Sequence, residues 1–235
     1  MGILYLVATP IGNLEDISLR AVKTLLESDL IACEDTRRAG ILLNSIKPIY
    51  QKIYGENRKS PELISYYEQI EMKRISQLIN GLKNGLKISL ISDAGTPAIS
   101  DPGFKLVREC INCGIKIISI PGPSALISAL VSSGLPTDKF LFAGYPPRKK
   151  GNRSRFFKSI LKAKKYLKFT IIFYEAPHKL LKTLSEIKEI FGDIEIVIAR
   201  EMTKIHEETK KRKISEFLNF YGKNNPKGEF TIVLS

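Results

Sequence analysis

Cysteine and histidine are scarce in this chain of 235 residues, with three of the first and two of the second. Cys110-Ile111-Asn112-Cys113 has the spacing of a redox or zinc half-site, but no second pair exists and His178 and His206 lie far off in sequence. The cysteines therefore read as small buried apolar residues, with no metal centre expected and a reducing compartment implied. Long apolar runs are missing too, none approaching the ~18 residues of a membrane span. The opening Met1-Gly2-Ile3-Leu4-Tyr5 lacks the basic region that starts a secretory signal. Its Met-Gly start has the form of an acylation site, yet residues 3–8 read as a buried strand, so no lipid anchor is expected. The expectation is a cytoplasmic protein without membrane contact.

Phosphate-cradling glycine patterns are absent as well. The first loop has a single glycine, Gly12, where a dinucleotide fingerprint needs three, and no GxxxxGK[ST] occurs. That excludes the usual NAD, ATP and Rossmann-type methyl-donor readings, but not a nucleotide-like ligand held by backbone groups. Acidic residues are in deficit, 24 against 37 basic ones, for a net charge of +13 and a pI near 9.6. Such a balance favours a polyanionic partner, because each phosphate contact releases counterions and long-range attraction speeds encounter. A lysine-rich composition that merely keeps the surface solvated is the alternative.

What is present is alternation. Strands are expected at 3–8, 30–33, 86–91 and 116–120, and helices at 19–26, 37–43, 61–82 and 104–111. Repeated strand-helix alternation predicts an α/β protein with a mostly parallel N-terminal sheet. Pro121-Gly122-Pro123-Ser124 breaks the pattern, and Ser124 can cap a helix over 125–132. The domain junction is placed there, giving an N-terminal domain of residues 1–120 and a C-terminal domain of residues 121–235. In the second half, strands are expected at 140–143, 169–174, 194–199, 207–212 and 229–234, with helices at 153–163 and 179–190. Neighbouring strands without a long helix between them predict antiparallel pairing, hence a mixed C-terminal sheet.

The segment Ser92-Asp93-Ala94-Gly95-Thr96-Pro97-Ala98-Ile99-Ser100-Asp101-Pro102-Gly103 follows a strand and leads into a helix. Bulky side chains are kept out of it, so backbone can approach a ligand closely. Four more irregular segments follow predicted strands: 9–16, 34–38, 175–178 and 200–204. In an α/β protein the carboxyl ends of strands are where ligands bind, and if the two sheets face one another these loops line one cleft. Asp101, before Pro102, reads as the N-cap of the next helix, and Asp16 and Ser18 as caps of the first. Asp93 follows its strand directly and reads as a ligand contact or a turn residue. Glu34 and Asp35 adjoin Arg37 and Arg38, which suits either a reactive carboxylate or a structural network. His178 reads as structural or substrate-contacting. Arg148-Lys149-Lys150 with Arg153 and Arg155 suits phosphate contacts or a solvated loop, whereas Lys210-Lys211-Arg212-Lys213 reads as charge guarding an edge strand.

Seven blocks in this order, LVATPIGNLEDISLRA, CEDTRR, SDAGTPAISDPG, PGPSA, FYEAPHK, REMTK and KGEF, together resemble the ribosomal RNA small-subunit methyltransferase I family, of the larger tetrapyrrole methylase fold. The resemblance covers nearly the whole chain. It implies transfer of a methyl group from S-adenosylmethionine to the ribose 2′-hydroxyl of a cytidine, conventionally numbered 1402, in 16S ribosomal RNA of the 30S subunit, with no DNA partner. It implies two α/β domains, a methyl donor folded between them, and a homodimer. By motif, Pro10, Ser92, Asp93, Ala94, Gly95, Thr96, Ile99, Ser124, Ala125, Tyr174, Ala176, Met202 and Thr203 would surround the donor. Glu34 and Asp35 would serve as bases or positioners, and Arg37 would hold the neighbouring phosphate. Lys179 stands where the family often has arginine, which removes a bidentate phosphate contact. A corrin or other tetrapyrrole methylase and a non-catalytic ribosome-binding factor are the rival readings.

Overall fold

Strand and helix alternate from the first residues in the computed structural model, which describes all residues from Met1 to Ser235. The order is β1 (Ile3–Val7), α1 (Leu19–Leu26), β2 (Leu30–Cys33), α2 (Thr36–Tyr54), β3 (Glu62–Ser65), α3 (Glu71–Lys83), β4 (Lys87–Leu90), α4 (Phe104–Asn112) and β5 (Lys116–Ile120). The first compact unit closes at Ser124. The second, Ala125–Ser235, holds α5 (Ala125–Ser132), β6 (Phe140–Phe142), α6 (Lys150–Lys164), β7 (Thr170–Glu175), α7 (Leu180–Phe191), β8 (Glu195–Arg200), β9 (Glu208–Lys213), α8 (Ile214–Lys223) and β10 (Phe230–Leu234).

In the first unit the five strands pair in the order β3-β2-β4-β1-β5, all parallel. The sheet has helices on both faces, so β2 reads Leu-Ile-Ala-Cys with every residue buried. The period of two then splits it: Leu30 and Ala32 join a core with Tyr66, Leu78, Leu82 and Leu106, while Ile31 and Cys33 join one with Val22, Leu25, Leu43 and Tyr50. The carboxyl ends of β1, β2 and β4, which are adjacent in the sheet, carry the loops that start at Ala8, Glu34 and Ile91.

The second unit has a mixed sheet in the order β6-β7-β10-β8-β9, with β6 parallel to β7 and the other pairs antiparallel. Its centre, β10, is buried at all five positions. One core of Phe157, Phe173, Leu184, Ile187, Ile198 and Phe217 lies under α6, α7 and α8. The basic run Lys210–Lys213 falls on the edge strand β9, where Lys211 pairs with Glu195 at 3.1 Å and Lys210 and Arg212 lie over the Phe220 ring.

Three expectations about elements are corrected. The helix expected to end at Leu43 runs on to Tyr54 through Pro48 and stops at Gly55, whose φ is +69°. Ile46 and Tyr50 continue the buried face, and their packing outweighs the one hydrogen bond that proline removes. The single helix expected over 61–82 is instead β3 followed by α3. The strand exists because Glu62–Ser65 pair with Leu30–Cys33, a partnership that local patterning does not announce. Helix α8 was not expected, although Ile214, Phe217 and Tyr221 bury one face at helical spacing.

Candidate active site

Small residues let the chain ends of β1 and β4 touch. Thr9 and Gly95 form an isolated antiparallel bridge, with N–H···O distances of 2.9 and 3.0 Å, and the Thr9 hydroxyl donates to the Ser92 carbonyl at 3.3 Å. Gly95 has φ +83°, and a Cβ there would lie 3.3 Å from the Ile11 side chain. Thr96 donates its hydroxyl to the Pro123 carbonyl at 3.2 Å, and a Cβ on Gly122 would stand 3.0 Å from that of Ala8. Pro10, Ser92–Thr96 and Ser124 are therefore gathered at one end of the first sheet. Ser92 is buried, whereas Asp93, Ala94 and Ile99 are exposed. Ala98 and Ser100 hold φ of +66° and +64°, a conformation that costs non-glycine residues about 1–2 kcal/mol each and that clusters at functional sites.

Asp101 does not cap α4. The residue before the helix is Gly103, at φ +144°, which has no side chain to cap with, and the Gly103 N–H donates to Glu71 Oε1 at 3.1 Å. Glu71, only 4% exposed, also accepts from the Tyr66 hydroxyl at 2.8 Å and pairs with Lys105 at 3.0 Å. A carboxylate from α3 thus does the capping, and Asp101 turns toward the strand ends. Burial and then the charge of Glu34 push its carboxyl up to about 6, with Asp93 adding to the rise against a hydrogen bond with Ser92. Asp16 is likewise no cap of α1: Ser18 caps it, accepting from Ala21 N at 3.1 Å, while Asp16 ends a short 3₁₀ turn begun by Asn13.

The second acidic segment divides its two carboxylates. Asp35 caps α2, accepting from Arg37 N at 2.8 Å, and receives the Arg37 guanidinium at 3.2 and 2.9 Å, which holds it down at about 2. Glu34 instead accepts from Asp93 N at 3.3 Å, and burial lifts its carboxyl, helped by the Asp93 charge against the pull of Arg38. Arg38 pairs with Asp93 at 3.1 Å. Glu34, Asp93 and Asp101 consequently form one acidic group at the ends of β2 and β4. Burial, and then the charges of Asp93, Asp35 and Glu34, push the Cys33 thiol to about 12, which keeps it inert.

In the second unit, β7 and β8 flank β10 with Glu175 and Arg200 both opposite Phe230, so their carboxyl ends share one edge. Tyr174 packs its ring against Phe142 and Tyr145, with centroids 5.0 and 5.6 Å apart. Glu175 is buried and accepts from Ala176 N at 2.9 Å and from the Thr183 hydroxyl, which fixes the turn before His178. Beyond β8, Glu201 and Thr203 take φ of +50° and +64° around the nearly buried Met202. The Glu201 carboxylate accepts from Glu229 N at 2.9 Å, and a Cβ on Gly228 would meet the Glu201 side chain at 2.6 Å. The KGEF block thus clamps the REMTK loop. Arg153 is no free phosphate ligand. It is 6% exposed and donates from Nε and Nη2 to the two Glu186 carboxylate oxygens, at 2.9 and 2.6 Å.

Sequence reasoning missed Asp101 as a member of the acidic group and Glu71 as the cap. The signal was the glycine at 103, which a cap at Asp101 does not require. The acidic group at the first unit's strand ends, Glu34, Asp93 and Asp101, suits a cationic ligand such as S-adenosylmethionine.

The profile of the tetrapyrrole (corrin/porphyrin) methylases matches residues 3–218. The Thermotoga maritima protein named Ribosomal RNA small subunit methyltransferase I is 49% identical over 235 residues, 100% of this chain and 99% of that protein. Its namesake in Rickettsia prowazekii is 44% identical over 232 residues, 99% of this chain and 78% of that protein. Among solved structures, diphthine synthase aligns with a TM-score of 0.70 at 15% identity, covering 100% of this chain and 90% of that one. A uroporphyrin-III-C-methyltransferase from Thermus thermophilus aligns at 0.62 and 18%, covering 99% and 94%. At these identities the structural likeness is one of fold.

Proposed function

The chain belongs to the tetrapyrrole methylase family and, within it, to the ribosomal RNA small subunit methyltransferase I proteins, S-adenosylmethionine-dependent enzymes, and from that premise we propose its specific reaction: methylation of the ribose 2′-hydroxyl of cytidine 1402 in 16S ribosomal RNA. The observation that carries this reading is the 49% identity extending over the whole chain and almost the whole relative. The net charge of +13 fits an RNA substrate.

Bound S-adenosylmethionine supplies an electrophilic methyl group on a sulfonium. The residues proposed to hold it are Pro10, Ser92–Thr96, Ile99, Ser124 and Ala125 in the first unit and Tyr174, Ala176, Met202 and Thr203 in the second. The chain's own task is to orient the two reactants, which accounts for several orders of magnitude in rate, and to accept the proton of a weakly acidic hydroxyl. Burial raises Glu34 and lifts Asp101 to about 6, so both are better proposed proton acceptors than Asp35, held at about 2. Asp35 instead caps α2 and orients Arg37, whose side chain is 88% exposed and available to an RNA phosphate.

The proposal extends to a cytoplasmic homodimer acting on the 30S subunit. No helix is long and apolar enough to cross a membrane. Ile127 and Val131 on α5 are 44% and 68% exposed, which suits burial by a second copy. The test is to map ribose methylation on 16S RNA from cells with and without this protein, and to incubate purified protein with labelled donor and 30S subunits or precorrins. Loss of the 1402 ribose methyl and transfer to 30S subunits are expected. Transfer to a precorrin alone would overturn the reading.

A further inference from the structure

Helices α6 and α7 begin against the usual electrostatic rule. Helix N-termini favour acidic residues, because their unsatisfied N–H groups carry partial positive charge. Neither helix has an acidic residue in its first turn, and neither N-cap side chain makes a capping hydrogen bond. The chain instead places Arg148, Lys149 and Lys150 at the start of α6, and His178, Lys179 and Lys182 around the start of α7. Such crowding of like charge is a local conflict that an incoming anion relieves.

The two helix starts open on the same concavity of about 680 Å³, lined by Arg148, Lys150, His178, Lys179 and Lys182. Its buried side is the Arg153–Glu186 ion pair, in which the acid is already neutralised, and Glu189 is the other acid on the wall. Arg153 Nη1 also donates to the carbonyls of Pro147 and Arg148, at 3.3 and 3.0 Å, so the buried pair fixes the backbone that carries Arg148. The side chains of Arg148, Lys150, Lys179 and Lys182 take part in no ion pair, unlike Lys210 and Lys211 on β9. Charge is also unevenly divided along the chain. Met1–Ser124 has 15 basic and 13 acidic residues, whereas Ala125–Ser235 has 22 and 11.

We propose that this concavity is a phosphate subsite that grips the RNA backbone of the substrate, with Lys179 and Lys182 from α7 and Arg148 and Lys150 from α6 as its ligands. Phosphate contacts position a nucleic acid without reading its sequence, so the subsite would set register and leave base choice to other residues. The inference rests on the ribosomal RNA reading.

The test is binding of unmethylated 30S subunits across 50–300 mM salt, together with calorimetry of S-adenosylmethionine. Lys179→Gln with Lys182→Gln is expected to reduce the slope of log K against log salt by about 2, one phosphate contact per lysine. The KM for 30S subunits should rise about tenfold or more while donor affinity stays unchanged, which also shows that the variant is folded. A control with the same charge loss, Lys52→Gln with Lys59→Gln in the first unit, should leave the slope nearly as in the wild type. An unchanged slope in the α7 variant, or an equal fall in the control, overturns the subsite. Wild-type protein that does not methylate 30S subunits overturns the functional reading instead.

Discussion

Asp101 sits among charges of its own sign, facing Glu34 and Asp93, with Arg38 engaged by Asp93 and Arg37 by Asp35. Its carboxyl is raised to about 6 in the folded chain, against roughly 3.9 when unfolded. Below pH ~4 both states hold the proton and Asp101 costs nothing. Between pH ~4 and 6 the unfolded chain ionises first, so stability falls as pH rises, and the full cost is present at neutral pH. Asp101→Asn should therefore melt like the wild type at pH 4 and higher than it at pH 7.5, by up to about 2 kcal/mol, while methylation falls. A constant difference in melting temperature across that range would refute the assignment. Gly228 acts at the other loop, where its φ of +95° and the Glu201 side chain leave no space for a Cβ. Gly228→Ala should displace that carboxylate, lower stability by about 1–3 kcal/mol and weaken donor binding through the proposed donor residues Met202 and Thr203, both measurable by melting and calorimetry.

Between elements, the contact with the most at stake is Arg153–Glu186, which joins α6 to α7 out of water. Removing one partner leaves an uncompensated buried charge, so Glu186→Ala should cost about 3–5 kcal/mol in urea unfolding. Replacing both residues with methionine should recover most of that loss, because two apolar side chains of similar volume need no partner. The same pair shows where sequence reading stops. Arg153 lies in a basic run and reads as a phosphate ligand, and its acid lies 33 residues away on another helix. Helix α1 and the strands β2 and β5 are legible to the residue, α1 from its helical period and Ser18 cap, β2 as a short apolar run between Asp29 and Glu34, and β5 as an apolar run between Gly114 and Pro121. Strand β3 is not, because a four-residue edge strand is defined by pairing with β2. The strand-end loops could be placed from composition alone, yet the roles within them could not. Asp101 and Asp93 differ through Glu71 and Arg38, which local sequence does not bring near.

For the molecule as a whole, the charge of +13 has to be reconciled with two reactants of opposite sign. S-adenosylmethionine carries an ammonium, a sulfonium and one carboxylate, so the long-range field repels it weakly while attracting RNA. Donor affinity must then come from short range, and the proposed donor residues of Met1–Ser124 lie in the part with near balance, 15 basic residues against 13 acidic. The excess lies in the remainder, 22 against 11, where the basic concavity is. With a Debye length of about 8 Å at physiological salt, only the RNA should feel this field at a distance. Stopped-flow association with 30S subunits is therefore expected to slow about tenfold or more between 50 and 300 mM salt, whereas donor association should change less than about twofold. Association with 30S subunits that ignores salt would mean that the lysines serve only to solvate the surface, and that docking depends on shape and hydrogen bonds alone.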